Sequence, residues 1–191
     1  MGLFNGKILG KLGAALVAVA GCLLVLPQPA RAEVAPRVLG VDAGVLIPIS
    51  TLADVVGMSY GGMIRYEQKS APNMSFTGRA GLFRGSAKDT ALGSWALDGY
   101  CLWVGGVYRL QPASDGLFLS GEIGANFVQF RAPNSTQSDP GAMSTKFGAV
   151  VGAGYRADVL TVRAALDMYD LTKAADTMGL FLSVGWDFKG L

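Results

Sequence analysis

The residues with chemistry to offer sit at two-residue spacing inside otherwise apolar segments. Asp42, Arg65, Glu67, Arg79, Glu122, Arg163, Asp167 and Asp187 are the charges of this kind. Glu122, Asp167 and Asp187 are carboxylates of the type that does general acid–base work. Arg65, Arg79 and Arg163 share their polar face, so ion pairing inside the fold is the leading expectation. The chain contains no histidine. That removes the commonest general base and the commonest metal ligand. No catalytic, cofactor or metal site is expected, and the chain reads as non-enzymatic.

Two further patterns carry little chemistry. Gly152-Ala153-Gly154-Tyr155-Arg156-Ala157 fits the loose dinucleotide pattern GxGxxA. That pattern needs a helix after it. Here a turn and another alternating segment follow, so small residues making room for arginines explain it better. Asn73-Met74-Ser75 and Asn134-Ser135-Thr136 have the letters of a glycosylation sequon and read as polar link residues.

The elements that must position the charges are strands. Residues 38–48, 59–67, 74–83, 95–110, 117–127, 147–155, 160–168 and 178–188 each alternate with a period of two. In the last, Leu180, Leu182, Val184, Trp186 and Phe188 fall on one face, and Gly179, Phe181, Ser183, Gly185 and Asp187 on the other. The fourth segment is less regular. Placing Asp98 on its polar face puts Trp95, Leu97, Cys101, Trp103 and Val107 on the apolar one, with a bulge expected at Gly105-Gly106. The links alternate in length. Residues 49–57, 84–94, 131–144 and 170–177 are long, and residues 69–73, 111–116 and 156–158 are short. This alternation, without a crossover helix, predicts an eight-stranded antiparallel up-and-down β-barrel.

Composition predicts which face meets what. A water-facing surface of this size would carry many lysines and glutamates. Beyond residue 32 the lysines are at 69, 88, 146, 173 and 189 and the glutamates at 33, 67 and 122. The strand charges share a face with glycines and serines, which suits a narrow bore, and the large apolar groups suit lipid. Aromatic residues cluster toward both strand ends, as belts at two membrane interfaces would. The barrel is therefore expected to be transmembrane, with Cys101 facing lipid as a small apolar residue. Arg84, Lys88, Arg131, Lys146 and Lys173 lie at the long-link rim, where they could meet lipopolysaccharide phosphates.

Residues 1–32 are expected to be a cleavable secretory signal, leaving 33–191 as the barrel domain. Lys7 and Lys11 give a positive start, 12–26 is apolar, and Ala30-Arg31-Ala32 is a small-x-small site. Val19-Ala20-Gly21-Cys22 also resembles a bacterial lipobox, which would make Cys22 a lipidated terminus. Beyond residue 32 Cys101 is the one remaining cysteine, so no internal disulfide is expected. Basic and acidic side chains number 16 and 14 over the whole chain. Three of the basic ones, Lys7, Lys11 and Arg31, fall in the signal, so the rest is near neutral and nucleic acid is not an expected partner.

With its signal, eight alternating segments, alternating links and an aromatic-rich closing segment ending at Phe188, the chain resembles the small OmpA/OmpX-like outer membrane protein β-barrel domain group over about residues 37–188. Phe188 is followed by Lys189-Gly190-Leu191, a departure from that group's usual aromatic end. The resemblance implies the bacterial outer membrane, contact with its lipid and lipopolysaccharide, and delivery by the barrel-assembly machinery. It implies a structural or surface-interaction role through the long loops. Barrel enzymes of that membrane rely on an active-site histidine, which this chain lacks. Two alternatives remain open at this point: a soluble or lipid-anchored lipocalin-like barrel for an apolar ligand, and a narrow channel for small solutes.

Overall fold

A computed structural model of the chain describes residues 37–91, 93–111, 115–131 and 142–188. The expected signal, the Cys22 lipobox and the Asn134 sequon lie outside the described residues. The strands are β1 (Arg37–Pro48), β2 (Ser59–Ala71), β3 (Met74–Gly85), β4 (Lys88–Thr90), β5 (Gly93–Arg109), β6 (Gly116–Arg131), β7 (Ser144–Ala157), β8 (Leu160–Met168) and β9 (Met178–Phe188). A four-residue helix α1 (Leu52–Val55) lies between β1 and β2, and a 3-10 segment (Leu171–Asp176) between β8 and β9.

The wall is eight antiparallel strands. β4 pairs with β5 alone among the described residues, as a short extension at the long-loop end, while β3 pairs directly with β5. Val41 of β1 is in register with Ile64 of β2 and with Trp186 of β9, so the last strand closes the sheet on the first. A closed barrel has no free edge to satisfy. That is what allows a sheet to stand in a medium without water.

Alternation sets the two faces. In β9 Phe181, Ser183 and Asp187 are buried, while Leu182, Val184, Trp186 and Phe188 are exposed. In β6 Ser120, Glu122 and Asn126 are buried, while Leu117, Leu119 and Ile123 are exposed. Large apolar side chains cover the outside and the strand charges lie in the bore, the reverse of a water-soluble barrel. This is a transmembrane-type arrangement.

β5 overturns three expectations. Leu97, Cys101, Trp103 and Val107 are buried inside, and Tyr100, Leu102, Val104 and Tyr108 make up the outer face. Asp98 takes the outer face with them. Register with β3 and β6 runs unbroken through Gly105-Gly106, so the expected bulge is absent; the one irregularity of the β2–β3 pair falls between Lys69 and Ala71. Cys101 does not meet lipid: its Sγ lies 3.8 Å from Met63 Sδ in the interior. The physical reason is that the bore beside β5 is itself apolar, so period two alone could not tell that strand's faces apart.

The interior is layered. Toward the long loops, Leu46, Met63, Cys101, Trp103, Val150, Ala165 and Phe181 form one apolar cluster with Phe83 packed on it. Phe181 meets Phe83 edge-on at 5.5 Å and Trp103 at 6.4 Å between ring centroids. Above it Leu52, Val56, Leu97 and Val128, with Trp95 and Tyr169, cap the mouth. Toward the short turns the bore is ionic. Small residues make the space there: a Cβ on Gly40 would stand 2.9 Å from both Arg65 Nη2 and Asp187 Oδ1, and one on Gly185 would overlap the Asp42 carboxylate.

Candidate functional site

The eight charges expected inside, Asp42, Arg65, Glu67, Arg79, Glu122, Arg163, Asp167 and Asp187, are all buried. Seven of them join one chain of ion pairs. Arg163 Nη2 donates to Glu122 Oε2 at 2.8 Å, and Arg79 Nε to Glu122 Oε1 at 2.7 Å. Arg79 Nη1 reaches Asp42 Oδ2 at 2.6 Å, and Arg65 Nε reaches the same carboxylate at 3.2 Å. Arg65 Nη2 donates to Asp187 Oδ1 at 2.5 Å, with Glu67 Oε2 at 3.6 Å from its Nη1.

Two members escaped the sequence reading. Arg156 bridges Asp187 Oδ2 at 3.2 Å and Glu67 Oε2 at 2.6 Å. Arg109 ends the chain on Glu67 Oε1 and donates to Ser75 Oγ at 2.7 Å. The signal for Arg109 was its shared parity with Val107, lost when that strand's faces were inverted. Arg156 was lost because β7 runs to Ala157, beyond the apparent end of its alternation.

Each of the eight wall strands contributes a member: Asp42 from β1, Arg65 and Glu67 from β2, Arg79 from β3, Arg109 from β5, Glu122 from β6, Arg156 from β7, Arg163 from β8 and Asp187 from β9. The pairing satisfies charges whose burial alone would be costly. It also commits each of the four carboxylates, Asp42, Glu67, Glu122 and Asp187, to at least two guanidiniums. Asp167 stands apart. It is 4% exposed, its Oδ1 has no hydrogen-bond partner, and its neighbours across β7 and β9 are Val150 and Gly179. Asp167 is therefore inside without joining the network. Among the described residues no group of three or more acidic, cysteine or histidine side chains is placed to hold a metal ion.

The rim cations fall into different settings. Arg84 is exposed on the outer face of β3, in register with Tyr60 of β2. Arg131 pairs with Asp98 at 2.9 Å on the outside, and Asp98 Oδ1 accepts from the Gly85 amide at 3.0 Å. Lys88 donates to the Ala53 carbonyl, tying β4 to α1. Lys173 is exposed on the 3-10 segment. Lys146 shares the inward register of Gly148 and Val150 and pairs with Asp170 at 3.0 Å. It is turned to the mouth of the barrel, which sets it apart from the outward-facing cations.

The long loops are braced against one another. Thr51 Oγ1 donates to Asp176 Oδ1 at 3.1 Å, joining the first loop to the last. The Ser86 amide donates to the Met58 carbonyl at 2.7 Å. Asp170 caps the 3-10 segment by accepting from the Thr172 amide at 3.0 Å. The hydrogen bond from the Thr172 hydroxyl, then that from Lys146, holds the Asp170 carboxyl below its ordinary value.

Eight antiparallel strands, an apolar outside and an ion-paired bore define the fold of a small outer-membrane β-barrel. The chain is similar in structure to Ail, the attachment invasion locus protein of Yersinia pestis, with a TM-score of 0.52 at 15% identity over 82% of this chain and 100% of that one. A second Ail structure, in complex with the heparin analogue sucrose octasulfate, gives 0.50 at 14% identity over 80% and 97%. The N-terminal β-barrel domain of Pseudomonas aeruginosa OprF gives 0.47 at 18% identity over 79% and 97%. No protein-family profile and no curated protein matches the sequence.

Proposed function

We propose that the protein is a non-enzymatic barrel of the bacterial outer membrane, with a structural or surface-interaction role carried by its long loops. The observation that carries this reading is the inverted distribution of polarity. Ile64, Phe76, Val151, Val162 and Trp186 are each at least half exposed on the wall, while Arg65, Glu122 and Arg163 are at most 2% exposed within it. Only a hydrocarbon surround makes such an outside favourable. Residues 1–32 serve as the export signal in this reading, residues 33–191 form the barrel domain, and the barrel-assembly machinery inserts it.

The braced loops give such a role a platform. The long links 49–57, 84–94, 131–144 and 170–177 carry Asp54, Asp89, Asp139, Asp170 and Asp176 against Arg84, Lys88, Arg131 and Lys173, which brings them close to charge balance. Arg84 and Arg131, outside and at the rim, suit lipopolysaccharide phosphates.

A lipocalin-like function needs an apolar cavity inside, and a channel needs a water path. Ion pairs in one half of the bore and Trp103, Phe83 and Phe181 in the other occupy that space. Both alternatives are disfavoured on this ground.

The test is heat-modifiability of the protein refolded in detergent, with protease digestion in liposomes. A gel mobility shift on boiling, strand-rich circular dichroism and protection of all but the long loops are expected. A chain that folds and stays soluble without detergent would sink the proposal. Single-channel openings in planar bilayers would restore the channel.

A further inference from the structure

The lipid face of the wall is not evenly covered. Across β8, β9, β1 and β2 it holds an open apolar groove of about 780 Å³, floored by Ala43 and Ala164 between the larger Tyr60, Val162, Leu182 and Val184. Ala43 is in register with Gly62, where an added Cβ would meet only the Asp42 carbonyl oxygen, at 3.4 Å. A gap of this kind forfeits dispersion contacts unless something flexible fills it.

One row of the wall leads out of the groove to a cation. Ala164 is in register with Leu182, Leu182 with Val45, Val45 with Tyr60, and Tyr60 with Arg84. Neighbours in such a row stand roughly 5 Å apart, so Arg84 flanks the groove's edge at Tyr60. Arg84 is exposed and makes no ion pair among the described residues, whereas Arg131 is paired with Asp98. The outward positions of β8, β9, β1 and β2 hold no carboxylate. A second copy docked through this face would therefore bring Arg84 no counter-charge. An acidic lipid brings a chain for the groove and an anion for the guanidinium together.

We propose that this groove binds one acyl chain of lipopolysaccharide, with a phosphate of the same lipid on Arg84. The proposal rests on the outer-membrane reading above and assigns the lipid a face of the barrel and a mode of binding. Arg84 is the second-to-last residue of β3, at the long-loop end. That end faces the cell surface in the same reading, where the leaflet is lipopolysaccharide. The planar fork of a guanidinium matches a phosphate in geometry and charge.

The test is native mass spectrometry of the refolded protein in detergent, with lipid A or phosphatidylglycerol added as the probe. One lipid A is expected to stay bound, several-fold more than phosphatidylglycerol. Arg84→Ala should cut lipid A retention several-fold. Ala43→Leu, which fills the floor of the groove, should cut it as well, and both variants should keep the gel shift on boiling. Equal retention of the two lipids, or retention unchanged in either variant, would overturn the proposal. A disulfide-linked dimer of Ala43→Cys in membranes would overturn it too, by placing a second copy in the groove. A protein that shows the boiling shift and retains no lipid A sinks this proposal alone, and one that shows no shift sinks the outer-membrane reading beneath it.

Discussion

Arg65 Nη2 and Asp187 Oδ1 lie 2.5 Å apart although 122 residues separate them in the chain. The pair spans β2 and β9, which flank β1 on either side, so it crosses above the strand where the barrel closes. Removing one partner leaves the other charged in a bore with little water. Asp187→Ala should destabilise the barrel by about 3 kcal/mol, within the range for breaking buried pairs. Urea unfolding in lipid vesicles measures it. A cost below about 1 kcal/mol would mean that water fills the gap.

Trp103 should matter as much without any charge. It is 2% exposed, packs on Phe181 and satisfies Asn126 Oδ1. Trp103→Ala should cost about 3–5 kcal/mol. Trp103→Phe, which keeps most of the volume and loses the donor, should cost about 1–2 kcal/mol. The ranking of the two variants in the same unfolding experiment is the check.

Two glycines on the wall give a contrast free of chemistry. A Cβ at Gly185 overlaps the Asp42 carboxylate, and one at Gly121 meets nothing within 4 Å. Gly185→Ala should lose about 1–3 kcal/mol through forced repacking. Gly121→Ala should stay within about 0.5 kcal/mol of the parent. Equal effects would mean that the network relaxes freely around the added methyl.

The orientation of β5 can be read from one thiol. Cys101 is buried in the bore, 2% exposed. A small lipid-permeable maleimide should label it slowly in the folded barrel and rapidly after unfolding. Fast labelling in the folded state would return it to the lipid face.

Acid should loosen the last loop before the wall. The Asp170 carboxyl is held below its ordinary value by Thr172 and Lys146. A lowered folded-state value means the stabilisation is present in full above the unfolded value and is lost as pH falls through the folded one. Amide exchange over residues 169–177 should therefore speed up as pH falls below the ordinary carboxylate value of about 4. The core strands should not follow, and Asp170→Asn should be fast at every pH.

The wall was legible where one face was apolar and the other polar. β8 reads Leu160, Val162, Ala164 and Leu166 against Thr161, Arg163 and Asp167, and the structure places the two sets outside and inside. β5 was illegible because both of its faces are apolar: Trp103 and Cys101 inside, Tyr100, Leu102 and Val104 outside. Periodicity reports that two faces differ, and it falls silent when they do not. The same error hid Arg109. Partners within the network were beyond reach for another reason. Arg65 and Asp187 meet through the register of three strands, and register is a property of the assembled sheet.

The ion-pair chain draws on every wall strand, and its one member from the last strand, Asp187, joins Arg65 to Arg156. Until β9 docks against β1, Arg65 lacks its Asp187 oxygen and Arg156 lacks Glu67, the two pairs that cross the seam. An open sheet in hydrocarbon would hold each of those guanidiniums with only part of its neutralising partners. The chain is thus penalised for entering the membrane half-built and rewarded for closing first. Zipping the first strand to the last becomes the commitment step of assembly, and a polypeptide stalled before that seam remains easier to hand back to a chaperone than to bury.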